Sequence, residues 1–154
     1  MARNEELYEA VLKGKRKDVA DLVQQEIDAG ADVIFNTCSS VGDFAQKARE
    51  MLTIPLVKID DAMAEAAVKE SASIGVLATL PTTLSPTVRL IQHYAQRLSR
   101  DVKIAEGLAD GAFQAVIAGD KEKHDQLILQ AAEKLAGQVD TFVLAQGSMA
   151  RMEK

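Results

Sequence analysis

Cysteine occurs once, as Cys38, so no internal disulfide can staple this chain, and a reducing compartment suits it. Tryptophan is absent and aromatics are 4% of residues, which leaves Ala, Leu, Ile and Val to build the core. No apolar run approaches the ~18 residues of a membrane span, and no charged-then-apolar leader is present. The resulting expectation is a cytoplasmic protein that does not engage a membrane. Neither G-x-G-x-x-G nor G-x-x-x-x-G-K-[ST] occurs, so a nucleotide fold is not indicated. His93 and His124, the two histidines, lie on separate helical segments without a ligand partner three or four residues on. Both are expected at the surface or boundary, with no metal site. Positive charge is also short, with 18 basic against 23 acidic side chains and a net charge of −5, which argues against nucleic acid as a partner.

What is present is 47% hydrophobic residues in 154, enough for one core or two small lobes. The chain is organised around Ala31 to Asp43. There a short apolar strand, Val33 to Phe35, runs into Asn36-Thr37-Cys38-Ser39-Ser40 and then Val41-Gly42-Asp43 at the head of a helix. A strand ending in small hydroxyl residues before a helix leaves backbone N–H groups free to hold a carboxylate or phosphate. Two readings of Cys38 stay open: a reactive thiol beside an anion cradle, its thiolate favoured there, or a small buried residue at a strand end.

Helical spacing marks Asn4 to Lys13 and Asp18 to Ala29, separated by a basic cluster, Lys13 to Lys17, that suits a solvated turn. Phe44 to Leu52 is expected as a helix with Phe44, Ala48 and Met51 inward, and Leu56 to Ile59 as a strand. Asp60-Asp61 opens the next helix, where adjacent carboxylates suggest acid/base work or metal binding but more simply cap the first turn and offset the dipole. Ser73 to Thr79 is an almost wholly apolar strand of the kind covered on both faces. The turn Leu80 to Pro86, with Thr82, Thr83 and Ser85, leads into a helix from about Thr87 to Leu98. It offers the same anion-holding logic, or ordinary N-capping. A strand at Val102 to Ala105, helices at Gly111 to Ala118 and Lys121 to Ala136, and a strand at Thr141 to Ala145 follow.

The chain also repeats itself. Leu7 to Gly14 matches Ala112 to Gly119, and each is followed by a helix ending in Ala-Gly, at Gly30 and Gly137. A strand then opens at Asp32 or Asp140. Six residues beyond each Asp stand Cys38 and Gln146, with Ser40 and Ser148 two places further. A duplicated βα unit with matched strand-end loops predicts two lobes facing across a cleft. The first copy lacks counterparts of Ser73 to Ala105, and the second stops within its last helix. The expectation is a clipped chain that is either part of a longer protein or, through exposed Val33, Ile34, Val57 and unpaired strand edges, a homo-oligomer.

These residues resemble the aspartate/glutamate racemase superfamily, which includes hydantoin racemase, maleate isomerase and arylmalonate decarboxylase. Cys38-Ser39-Ser40 looks like its first catalytic motif, Cys-Asn-Thr. Gly75-Val76-Leu77-Ala78-Thr79 with Thr82 is similar to Gly-x-Leu-Ala-Thr-x-Gly-Thr, Pro81 standing for Gly. Leu144 to Met149 looks like the segment bearing the second catalytic cysteine, a position occupied here by Gln146. The resemblance implies an α/β fold of two pseudo-symmetric parallel-sheet lobes, residues 1–60 forming an incomplete first lobe and 61–154 the second. It implies a cofactor-independent enzyme with Cys38 and Gln146 as catalytic residues. Asn36, Thr37, Ser39, Ser40, Thr79, Thr82, Thr83, Gly147 and Ser148 are the implied contacts to a small carboxylate substrate. A lone thiol disfavours symmetric two-thiol racemisation and suits decarboxylation, C–C cleavage or cis–trans isomerisation instead. A non-catalytic ligand-binding module is the other class that such a scaffold admits.

Overall fold

A computed structural model describes Glu6 and residues 16–153. The expected helix at Asn4 to Lys13, the first half of the repeat (Leu7 to Gly14) and the start of the basic cluster lie outside the described residues, apart from Glu6, which is helical. Arg16 and Lys17 open helix α1 (Arg16–Asp28) rather than a turn.

Two parallel sheets follow. Strands β1 (Ile34–Asn36) and β2 (Leu56–Lys58) form a two-stranded sheet in which Phe35 pairs with Val57 and Asn36 with Lys58. Between them lie a 3-10 turn, Ser39–Val41, and helix α2 (Gly42–Ala48). The second sheet has the order β4-β3-β5, with β3 (Ser73–Ala78) in the middle, β4 (Lys103–Leu108) and β5 (Thr141–Leu144). Helices α3 (Asp61–Glu70), α4 (Pro81–Arg97), α5 (Ala112–Ile117) and α6 (Lys121–Glu133) connect and cover these strands.

The apolar run at β3 is buried on both faces, and its alternation sorts the core. Ile74, Val76 and Ala78 pack with Ala64 and Val68 of α3 and with Leu84, Val88, Ile91 and Tyr94 of α4. Leu77 points the other way, to Ala112, Ile128, Ala131 and Met149. Aliphatic residues at strand and helix period thus supply the core that the lack of aromatics required. Asp140 ties β5 to β3, its carboxylate accepting from the Ala72 and Ser73 N–H groups at 3.1 and 2.9 Å. Hydrogen bonds from Ser73 hold that carboxyl below the ordinary carboxylate range.

Helix α4 begins at Pro81, six residues earlier than the sequence suggests, and runs through Pro86. Pro81 occupies the first helical position, where a missing N–H costs nothing. Pro86 gives up one bond near that end, and the Thr87 hydroxyl donates to the Thr83 carbonyl at 2.9 Å. A proline this close to an N-terminus leaves the helix intact where one in its middle would break it.

Helix α2 departs further from expectation. It ends at Ala48 rather than Leu52, and its buried residues are Gly42 and Ala45, whereas Phe44 is 73% exposed and Met51, beyond its end, 85%. Small residues let α2 approach its neighbours closely, and that face excludes the large side chains. Val33, Phe35, Val57 and Ile59 are exposed as well, while Ile34 is half-buried. Strand β4 continues through Glu106 to Leu108, since the exposed Glu106 does not interrupt backbone pairing.

Candidate active site

Strand β1 ends at Asn36, two residues before Cys38, and β5 ends at Leu144, two residues before Gln146. A 3-10 turn begins immediately after each, at Ser39 and at Gly147. The sequence repeat therefore has a structural counterpart at both carboxyl strand ends, the usual location of sites in open parallel sheets. The matching Gly30 and Gly137 also share a backbone state, with φ of +101° and +79°. That left-handed conformation closes a helix and favours glycine.

Cys38 is exposed and unpaired, in an extended conformation at the head of its turn, so a role in core packing is excluded. Its carbonyl accepts from the Val41 N–H at 3.3 Å. The expected helix N-terminus is thus a 3-10 turn of three residues that passes into α2. Two residues on, the Ser40 hydroxyl lies 3.2 Å from the buried Thr83 hydroxyl in the first turn of α4. Arg89 of α4 reaches Asp43 of α2 with contacts of 2.7 to 3.2 Å, which holds the Asp43 carboxyl below the ordinary range. Hydroxyl and ion-pair contacts therefore dock the Cys38 loop on α4.

Gln146 uses both ends of its amide on Thr79. Its Oε1 accepts from the Thr79 N–H at 2.6 Å, and its Nε2 donates to Thr79 Oγ1 at 2.7 Å. Thr79 is buried at the end of β3, two residues before α4. Both loops thus converge on the start of α4, one through Thr83 and the other through Thr79. No hydrogen bond joins Cys38 to Gln146 among the described residues. Thr37 and Thr82 are exposed, Ser39 is half-buried, and Gly147 is exposed beside a half-buried Ser148. The Ser148 carbonyl accepts from Arg151 at 3.2 Å. Asn36 stands opposite Lys58, its Oδ1 buried without a hydrogen-bond donor.

Two clusters escaped the reading of the sequence. Asp60 does not cap α3 with its side chain. Instead its carboxylate lies 3.4 Å from Lys58 Nζ, and Lys58 is only 4% exposed. Asp61 is 4.0 Å from the same ammonium and pairs with Arg49, which also donates to the Leu56 carbonyl at 2.8 Å. The missed signal was alternation in Leu56-Val57-Lys58, which places Lys58 on the inward face with Leu56. His124 is fully buried, which corrects its placement at the surface or boundary; His93 is exposed. The position of His124 one helical turn before Ile128 points it at the core. Its Nδ1 lies 2.8 Å from Asp125, whose carboxyl Arg151 holds below the ordinary range.

Among the described residues, no helix is long and apolar enough to cross a membrane. No curated protein matches the sequence. Among solved structures, glutamate racemase isoform RacE1 from Bacillus anthracis superposes with a TM-score of 0.63 at 18% identity, over 88% of this chain and 52% of that one. Allantoin racemase from Klebsiella pneumoniae superposes with a TM-score of 0.55 at 21% identity, over 88% of this chain and 54% of that one. The chain therefore spans about half the length of these structures. A model of the Asp/Glu/hydantoin racemase family matches residues 4–154, and the chain belongs to that family.

Proposed function

We propose that this chain is part or all of a cofactor-independent racemase- or isomerase-type enzyme. It acts at the carbon next to a carboxylate or carbonyl of a small, amino-acid-like substrate, with Cys38 as the thiol acid/base. The observation that carries the reading is the matched pair of strand ends, with an exposed thiol after β1 and an amide clamped to Thr79 after β5. Cys38 takes or delivers the proton at carbon. The Thr79 hydroxyl, oriented by Gln146, and the hydroxyls of Ser40 and Ser148 hold the carboxylate. Charge that builds on its oxygens is met by fixed donors already in place. Gln146 keeps one N–H beyond the one given to Thr79, available to a developing oxyanion.

The amide of Gln146 favours a more specific version. It cannot exchange a proton at neutral pH, so protons reach carbon from the Cys38 side only. A thiolate that removes the α-proton must then return one to the same face, which gives exchange with retention. In a decarboxylation or C–C cleavage, the Cys38 thiol protonates the carbanion left by the departing group and is reprotonated by solvent. Both courses are one-sided versions of the chemistry at carbon, in place of symmetric two-thiol racemisation.

The test is incubation of small 2-substituted carboxylates in D₂O, followed by NMR and chiral analysis. The expected result is α-deuteration with retained configuration, or a singly deuterated cleavage product, lost in Cys38→Ser. Turnover that survives in Cys38→Ser would overturn the thiol role. Binding without any turnover would instead favour the non-catalytic module.

A further inference from the structure

We propose that Lys58 is a positioning residue for the Cys38 turn, an inference that rests on reading Cys38 as the reactive thiol. Lysine is seldom buried, because its ammonium must be paired once water is removed. Lys58 has a side chain only 2% exposed at the carboxyl end of β2, beside Asn36 at the end of β1. Its ammonium faces Asp60 at 3.4 Å and Asp61 at 4.0 Å, and Arg49 pairs with Asp61. Two cations and two carboxylates thus form a charge-balanced hub. Asp60 and Asp61 each bring to it a buried oxygen with no hydrogen-bond partner, and the ammonium has three N–H groups to offer; Asn36, paired with Lys58 across the strands, carries another such oxygen.

Gly42 connects this hub to the thiol. A Cβ built there would lie 3.2 Å from Lys58 Nζ and 3.4 Å from Cε, so a side chain at this position would press on the lysine and displace one or the other by a few tenths of an ångström. The Gly42 N–H donates to the Ser39 carbonyl and closes the 3-10 turn that Cys38 heads. The lysine therefore supports Gly42, Gly42 closes the turn, and the turn sets where the thiol stands. The ammonium is too deeply buried to touch substrate, so its action passes through the backbone.

Lys58→Met, Gly42→Ala and the double variant test this, with the rate of Cys38 alkylation by iodoacetamide as the readout and circular dichroism as the folding control. Each single variant is expected to change the alkylation rate at least fivefold. Lys58→Met removes the nearer of the two atoms that the new Cβ would meet and leaves an uncharged, free-moving methyl in place of the other, so Gly42→Ala adds much less in that background than in wild type, a coupling read in the alkylation rate. Additive effects, or a folded Lys58→Met that alkylates at the wild-type rate, would overturn the proposal. Should Lys58→Met fail to fold, Lys58→Met/Asp60→Asn removes both charges of the pair and is judged by the same rate. Should that also fail, Gly42→Ala decides alone, since it leaves every charge in place, and a wild-type rate refutes the proposal. Alkylation needs no substrate, so failure of the proposed function would show separately, as turnover undiminished in Cys38→Ser for the thiol role or as no turnover at all for the enzyme.

Discussion

The two sheets are assembled from the same parallel βα units and differ in what covers them. In the three-stranded sheet, β3 has a neighbour on each side and a packed layer on each face. In the two-stranded sheet, Phe35 and Val57 pair across the strands with their outward side chains exposed, Phe35 by 57%. Its inner face carries a buried charge network where the larger sheet carries aliphatic side chains. The difference teaches where stability resides and how the cysteine loop is held. The larger sheet supplies the core, and the smaller presents the cysteine loop and depends on contacts to α4 to hold it there.

The largest effect separating the two regions is expected from Ile91→Ala. Ile91 is fully buried between α4 and β3, so truncation removes apolar contact and leaves a cavity at a cost of about 3 kcal/mol. Denaturant unfolding measures the loss. A midpoint change no greater than that of a surface variant would show that stability is spread evenly over the two sheets.

Gln146→Ala comes next. It strips the buried Thr79 of the amide partners of its N–H and hydroxyl, at a cost of about 1–2 kcal/mol. On the proposed function, turnover should fall by more than this stability loss alone produces, because the Thr79 hydroxyl loses its orientation. Gln146→Glu sharpens the test. A carboxylate accepts from the N–H but no longer donates to the Thr79 hydroxyl, so stability should recover more than turnover does.

How much of this could be read from the sequence follows the same division. The β3 run, its cover on both faces and the matched strand ends at Cys38 and Gln146 were legible, because continuous aliphatic burial and a duplicated spacing leave direct marks. The start of α4 was hidden by Pro86, a residue that halts a helix in mid-course and is tolerated near its head. The inward placement of Phe44 and Met51 failed because helical periodicity names a stripe without saying which stripe meets a neighbour. Here Gly42 and Ala45 do, and small residues give a weak apolar signal. Asp60 and Asp61 suited caps by local rule, and the tertiary presence of Lys58 and Arg49 decided otherwise.

Acid should loosen the joint between the regions. Arg89 holds the Asp43 carboxyl below its ordinary value, and Ser73 does the same for Asp140 within the larger sheet. A folded value below the unfolded one contributes stability that is present above about pH 4 and is lost as pH falls through the folded values. Thermal midpoints measured from pH 6 down to pH 2.5 should therefore decline below about pH 4. Arg89→Ala should remove the Asp43 share of that slope and leave the Asp140 share. Its own cost near neutral pH should be about 0.5 kcal/mol or less, because the pair is exposed and screened by salt. An unchanged acid slope in Arg89→Ala would place the sensitivity elsewhere.

The smallest effect on stability is expected from Phe35→Ser. Phe35 stands on the outward face of β1 with more than half its surface in water, so the variant loses little burial and no hydrogen bond. A dilute solution should show a change within about 0.5 kcal/mol, against several times that for Ile91→Ala. Concentration supplies the decisive arm. Val33, Phe35, Val57 and Ile59 form an exposed apolar strip along paired strands, a surface able to associate with another copy. If copies associate there, wild-type light scattering rises with concentration, the thermal midpoint rises with it, and Phe35→Ser abolishes both trends. If the chain stays monomeric, wild type and variant give the same concentration-independent midpoint, and the contrast between the sheets is a property of the single chain.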